Sequence, residues 1–147
     1  MKYNGVIQRK LAILDDQVLK LKKHTAGVSF PDFEGNWVIR SMTERALQVA
    51  AEVMIDIAER IIAIEHAGPI ASASEAMQKL VDLRVISSAE PYTSIVRLRN
   101  LIVHEYEEID PQILYTIITT KLEDFHRFRD EIDRAEGFGG PEGENPT

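Results

Sequence analysis

The sequence predicts an all-α protein, an up-and-down bundle of about four long helices and one shorter one. Three observations carry that expectation. Apolar residues recur at three- and four-residue steps along most of the chain, the period of a helix that buries one face. No stretch alternates apolar and polar residues long enough to make a convincing strand. Cap and breaker residues, among them Ser72 with Glu75, Gly68-Pro69 and Asp110-Pro111, punctuate the periodic stretches where helices would start and stop.

The first helix is expected from about Val6 to Lys23, where Ile7, Leu11, Leu14, Val18 and Leu21 form a seam of heptad type. Its terminal lysines complement the helix dipole. Gly27 and the run Ser29-Phe30-Pro31-Asp32-Phe33-Glu34-Gly35 read as a turn-rich connection whose aromatics fold back on the bundle. A long helix follows from Asn36 or Trp37 to His66, closed by Gly68-Pro69. It is apolar along two paths, Ile39, Met42, Ala46, Val49, Val53 and Ile57 on one, Leu47, Met54, Ala58, Ile61 and Ile62 on the other. One small bundle is unlikely to cover so much girth, so a homodimer is expected.

Ser72 and Glu75 form a capping box that opens a shorter helix running to about Arg84. Ser88 is expected to cap the next helix, with Pro91 in its first turn and Ile95, Leu98, Ile102 and Val103 as its buried stripe. Asp110-Pro111 starts the last helix, whose apolar face is Leu114, Ile118, Leu122, Phe125, Phe128 and Ile132. The chain then divides into one helical domain, residues 1–135, and a disordered acidic tail rich in Gly and Pro, residues 136–147.

Composition removes several classes of chemistry. With no cysteine, the chain has no disulfide, no thiolate zinc site and no cysteine nucleophile. No apolar run is long enough to span a bilayer, and the opening Met1-Lys2-Tyr3-Asn4-Gly5 lacks the apolar core of a signal segment, so a cytoplasmic protein is expected. A net charge of −7 argues against broad non-specific binding of nucleic acid but suits a basic partner. Neither a Gly-rich phosphate loop nor a Gly-x-Ser-x-Gly elbow is present. Glu123 and His126 have the Glu-x-x-His spacing of di-metal bundles, but such a site needs two such pairs and further carboxylates; a surface pairing is expected, and no metal or cofactor. His66 ends a helix and His24 lies among lysines, which suggests no chemistry for either.

The stretch that concentrates chemistry is Arg99-Asn100-Leu101-Ile102-Val103-His104-Glu105-Tyr106. A guanidinium can fork onto phosphate oxygens. An imidazole can take and return a proton near neutral pH. At 100° per residue, Arg99 and His104 stand about 140° apart on a helix, whereas Asn100 and His104 share a face, as do Arg99 and Tyr106.

Arg-x4-His-x-Tyr with Asn directly after the Arg resembles the signature of the HEPN superfamily, and more closely that of the HepT-type toxins of prokaryotic toxin–antitoxin pairs. The resemblance extends over roughly residues 3–133, including Thr43-Glu44-Arg45-Ala46-Leu47-Gln48 with Glu52 and Asp56 on the second long helix. It implies a toxin of a type VII-like pair, a metal-independent endoribonuclease that cuts RNA, such as tRNA or mRNA, through attack of its own 2′-OH. Carried over by position, the catalytic residues would be Arg99, Asn100 and His104, and Tyr106 would be the tyrosine adenylylated by a partner minimal nucleotidyltransferase antitoxin. The family's homodimer would bring two motif helices together in one cleft. Arg40 and Arg45 could lean toward that cleft or pair with nearby glutamates on a solvated face. The alternative function is a non-catalytic helical module that binds a nucleotide or a nucleotidyltransferase, with Arg99 and His104 as ligands or structural groups.

Overall fold

The computed structural model describes Tyr3 and residues 5–104 and 109–138. Among the described residues there is no strand, and the chain forms seven helices rather than the expected four long and one short. They are α1 (Gly5–Thr25), α2 (Phe30–Gly35), α3 (Trp37–Ile64), α4 (Ala73–Asp82), α5 (Tyr92–His104), α6 (Pro111–Thr120) and α7 (Glu123–Phe138). The 28-residue α3 is the post of the bundle. It packs most extensively on α1, α4 and α5, and also touches α2, α6 and α7.

The heptad seam of α1 packs as its spacing predicts: Ile7, Leu11, Leu14, Val18 and Leu21 are all buried. Each such side chain removed from water stabilises the fold by about 1.5–3 kcal/mol. On α3 the two apolar paths have different fates. Leu47, Met54, Ala58, Ile61 and Ile62 are fully buried, together with Ala50, Ala51, Ile55 and Ile57. Ile39, Met42, Ala46, Val49 and Val53 are only half-buried in one copy of the chain. At the start of α3, Trp37 remains 66% exposed and Val38 58% exposed.

Two of the extra helices come from local chemistry that periodicity does not report. Residues 29–35 are a short helix rather than a turn. The Ser29 hydroxyl accepts the Asp32 N–H and Pro31 occupies the first turn, where no donor is lost. Its aromatics do fold back: Phe30 and Phe33 pack their rings on Tyr115 of α6 at 5.3 and 5.5 Å, and the Tyr115 hydroxyl donates to the Val28 carbonyl. The single last helix is broken after Thr120. Thr119 and Thr120 turn their hydroxyls back onto the carbonyls of Tyr115 and Thr116 at 2.7 and 2.6 Å, a back-bonding that bends and weakens a helix. Glu123 and Asp124 then open α7 with negative charge at its N-terminus. The break does not disturb the apolar face, since Leu114, Ile118, Leu122, Phe125, Phe128 and Ile132 are all buried.

Three helix ends also depart from expectation. α3 stops at Ile64, before Gly68-Pro69, because His66 adopts φ 55° and its N–H and that of Ala67 return to the carbonyls of Ala63 and Ile62. This is the Schellman arrangement, which usually places Gly at the left-handed position. α4 ends the same way, with Arg84 at φ 63° and Val85 bonded back to Leu80. Ser88 does not cap α5; the Ala89 carbonyl accepts the N–H groups of Tyr92 and Thr93 at 2.9 and 3.1 Å. The capping box of α4 holds, with Glu75 N–H on the Ser72 hydroxyl and the Ala71 N–H on the Glu75 carboxylate.

The connection between α4 and α5 is anchored from α7. Glu131 is 6% exposed, yet both of its oxygens have donors: the Ser87 N–H at 2.7 Å and the Tyr92 hydroxyl. Burial first, then the hydrogen bond to Glu131, pushes the Tyr92 hydroxyl far above its ordinary pKa, so it remains the donor. The Tyr92 ring meanwhile packs edge-on against Phe128 at 5.1 Å. Exposed ion pairs of Arg129 with Asp15, and of Lys22 with Glu123, join α1 to α7 but contribute little individually. Replacing Tyr92 with Phe should leave the ring packing and strip a donor from a buried carboxylate. Urea unfolding at neutral pH should show a loss of about 1–3 kcal/mol. Unchanged stability would mean that this bond does not anchor the loop.

Candidate functional site

The motif lies on the last turn and a half of α5. Tyr92, Ile95, Val96, Leu98 and Ile102 are the buried residues of this helix, which packs on α3 and α4. That stripe fixes the helix about its own axis and therefore decides where each motif residue points. Val103, expected in the stripe, is instead 47% exposed. It lies next to His104 at the edge of the surface formed by Asn100 and His104, one turn apart and both exposed. Arg99 is half-buried and turned from that face by the helical period.

Arg99 and Asn100 are directly joined, the Arg99 Nε–H donating to the Asn100 Oδ1 at 2.9 Å. No carboxylate pairs with Arg99 among the described residues, which leaves its guanidinium charge available to a ligand. The neighbouring arginine is engaged otherwise. Arg97 reaches back to Glu90 at 3.1 Å and to Ser94 at 2.9 Å. Hydrogen bonds from Thr93 and Ser94, and then Arg97, hold the Glu90 carboxyl down at about 2, so α5 begins on a carboxylate that stays charged. His104 is the last residue of α5. Tyr106 lies outside the described residues, which resume at the buried Ile109. Asp110 then caps α6 through the Gln112 N–H at 2.9 Å.

The other candidates fall away from this surface. The Arg40 guanidinium donates to the Glu34 carbonyl, and Arg45 reaches Gln48 at 3.5 Å. Arg45 lines a cavity of about 440 Å³ between α1 and α3, with Lys20, His24 and Met42 among its other walls. Glu123 and His126 are held together by Lys22, a residue with no sequence signal for that role, whose ammonium lies 2.9 Å from one and 3.0 Å from the other. Among the described residues no cluster of His, Asp and Glu could hold a metal ion, and no helix is long and apolar enough to cross a membrane.

In one copy, therefore, α5 presents a phosphate-competent guanidinium, an amide that positions it, and an exposed imidazole. The guanidinium and imidazole diverge. The arrangement could stabilise negative charge and exchange a proton, with the two side chains leaving the helix about 140° apart.

The chain matches the family model described as ribonuclease HepT-like over residues 14–132. It is 26% identical over 130 residues to a tRNA nuclease HepT of Aphanizomenon flos-aquae, covering 87% of this chain and 88% of that one. It is also 26% identical over 131 residues to an mRNA nuclease HepT of Shewanella oneidensis, covering 88% of this chain and 97% of that one. Its structure resembles that of a tri-AMPylated Shewanella oneidensis HEPN toxin in complex with an MNT antitoxin, with a TM-score of 0.82 and 26% identity over 89% of this chain and 98% of that one. With a family match over residues 14–132, which include the Arg-x4-His-x-Tyr stretch of the sequence, the chain belongs to the ribonuclease HepT-like family.

Proposed function

We propose that this chain is the toxin of a toxin–antitoxin pair, an endoribonuclease needing no metal, whose active cleft is completed by a second copy. The family match carries the reading, because within its span Arg99, Asn100 and His104 stand at the end of α5 with Arg99 unclaimed by any described carboxylate.

RNA supplies its own nucleophile. The 2′-oxygen attacks the adjacent phosphorus while its proton passes to a base, and the P–O5′ bond breaks as an acid protonates the leaving oxygen. The products are a 2′,3′-cyclic phosphate and a free 5′-OH. Between them the equatorial oxygens carry extra negative charge, and stabilising it is the role assigned to Arg99 with Asn100. His104 is assigned the proton transfers. The two relatives are described as acting on different RNAs, tRNA and mRNA, which supports RNA as the substrate class and no narrower assignment.

One copy offers one motif histidine, whereas the reaction uses a base and an acid. The half-buried path Ile39, Met42, Ala46, Val49 and Val53 supports a two-fold dimer, as it is apolar surface that the bundle covers only in part. A two-fold arrangement would supply the second imidazole and let Arg99 of one copy face His104 of the other.

Silencing is assigned to Tyr106. A partner nucleotidyltransferase would direct its phenolic oxygen onto the α-phosphorus of ATP, forming the AMP ester and releasing pyrophosphate. The new phosphodiester and nucleoside would sit two residues beyond His104, where the anion can pair with Arg99 and occupy the place of the RNA phosphate. The net charge of −7 favours a second reading, a module that binds a nucleotide or its partner without catalysis.

The purified chain should cut RNA in EDTA and leave cyclic phosphate ends. Arg99→Ala and His104→Ala, each folded, should lower the rate by about 10²–10⁴-fold. Wild-type cleavage by folded His104→Ala would favour the non-catalytic reading. A separate check concerns silencing. After co-expression with the partner enzyme and ATP, intact-mass measurement should show AMP on the wild type. Tyr106→Phe should cleave RNA, gain no AMP mass and escape inactivation. AMP on the Tyr106→Phe chain would place the modification elsewhere.

A further inference from the structure

A second concentration of unclaimed positive charge lies away from the motif. Where α4 turns into the α5 connection, a cavity of about 340 Å³ is lined by Arg84 from the end of α4 and Arg134 from α7. Most arginines outside the motif with a nearby carboxylate use it: Arg60 pairs with Asp56, Arg97 with Glu90, Arg127 with Asp124 and Arg129 with Asp15. Arg84 and Arg134 have no ion-pair partner among the described residues, although the chain is rich in acid. The buried carboxylate in the cavity wall, Glu131, has both oxygens committed to Ser87 and Tyr92 and does not pair with either guanidinium.

Arg84 is also held where a side chain is costly. It occupies the left-handed position of the α4 Schellman turn at φ 63°, a place usually filled by Gly. Apart from Glu131 and Ser87, the remaining wall is apolar: Val81, Val85, Ile86 and Ala135. The volume falls at the lower end of the range for small-molecule pockets.

We infer that the Arg84–Arg134 cavity binds a phosphate monoester carried by a nucleotide. Two guanidinium forks offer more N–H donors than the two oxygens of a carboxylate can accept, whereas a terminal phosphate brings three oxygens and close to two charges. Two arginines and one internally satisfied carboxylate leave the cavity with a net positive charge to meet it. The apolar wall gives the sugar or base a surface to lie on. Tyr92, which shares Glu131 with this cavity, starts α5, and His104 ends it. Along the helix axis, Arg99 stands about 10 Å and His104 about 18 Å from Tyr92. The cavity and the motif share no residue, and binding in the cavity does not depend on the cleavage reading.

The ligand's source is either a free nucleotide or the 5′-phosphate end of an RNA, and one experiment separates them. Calorimetric titration of the full chain with AMP should show saturable binding that inorganic phosphate competes away. Arg84→Gly and Arg134→Gln should each weaken it by about tenfold or more. Arg84→Gly relieves the left-handed strain, so its melting temperature should rise even as binding falls, which separates lost charge from lost fold. For uncleavable 2′-O-methyl oligonucleotides, stronger binding of the 5′-phosphorylated form than of the 5′-hydroxyl form assigns the site to RNA ends. Equal binding of the two forms assigns it to the free nucleotide. Absence of AMP binding up to about 10 mM, or wild-type affinity in both Arg84→Gly and Arg134→Gln, would overturn the proposal.

Discussion

The helical period of α5 is the constraint on which the site depends. The helix must bury Tyr92, Ile95, Val96, Leu98 and Ile102 against α3 and α4. That burial is worth several kcal/mol and leaves the helix no freedom to rotate. With the stripe fixed, Asn100 and His104 face outward, and Arg99 is turned from His104 by about 140°. That divergence of the Cα–Cβ directions is set by the backbone. The hydrogen bond from Arg99 to Asn100 partly bridges it, tying the half-buried guanidinium to the edge of the exposed face. A helix that carries a guanidinium and an imidazole on divergent faces is better suited to work against a copy of itself than alone. This is the physical ground for proposing a shared cleft.

The rest of the bundle serves to hold α5 in that attitude. α3 contacts all the other helices and gives α5 its floor. At the N-terminal end of α5, the buried Glu131 grips Ser87 and Tyr92 from α7, while Arg97 and Glu90 close the first turns on the surface. The C-terminal end has no comparable clamp among the described residues. The motif thus stands at the end of a helix whose other end is firmly anchored.

Much of this was legible from residue spacing, and the exceptions have specific causes. The seams of α1 and of the α6–α7 face were readable because a period of three and four is a direct record of burial. The break between α6 and α7 was hidden, since the apolar phase continues through it while threonine hydroxyls undo the backbone pattern. The true ends of α3 and α4 were hidden too. His66 and Arg84 take the left-handed position where a reader looks for Gly, and only the returning hydrogen bonds reveal it. Ser88 looked like a cap, but a backbone carbonyl, from Ala89, does that work. At the site, the motif and its family were legible from Arg99 to Tyr106, and so was the divergence of Arg99 from His104. The exposure of Val103 and the bond from Arg99 to Asn100 were not, because they depend on how α5 is rotated against its neighbours. The cavity of Arg84 and Arg134 joins residues 50 apart in sequence, and no local pattern links them.

The shared cleft is the central proposal, and complementation in mixed dimers tests it most directly. A dimer with Arg99→Ala on one chain and His104→Ala on the other retains one Arg99 and one His104, on different chains. A dimer of one unaltered chain with one Arg99→Ala/His104→Ala chain also keeps one Arg99 and one His104, on the same chain, and lacks the second imidazole equally. If the two residues act across the interface, the first mixed dimer should cut RNA at least about tenfold faster than the second. Equal rates, or a faster cut by the dimer that keeps both residues on one chain, would show that Arg99 and His104 act within one chain, contradicting the account.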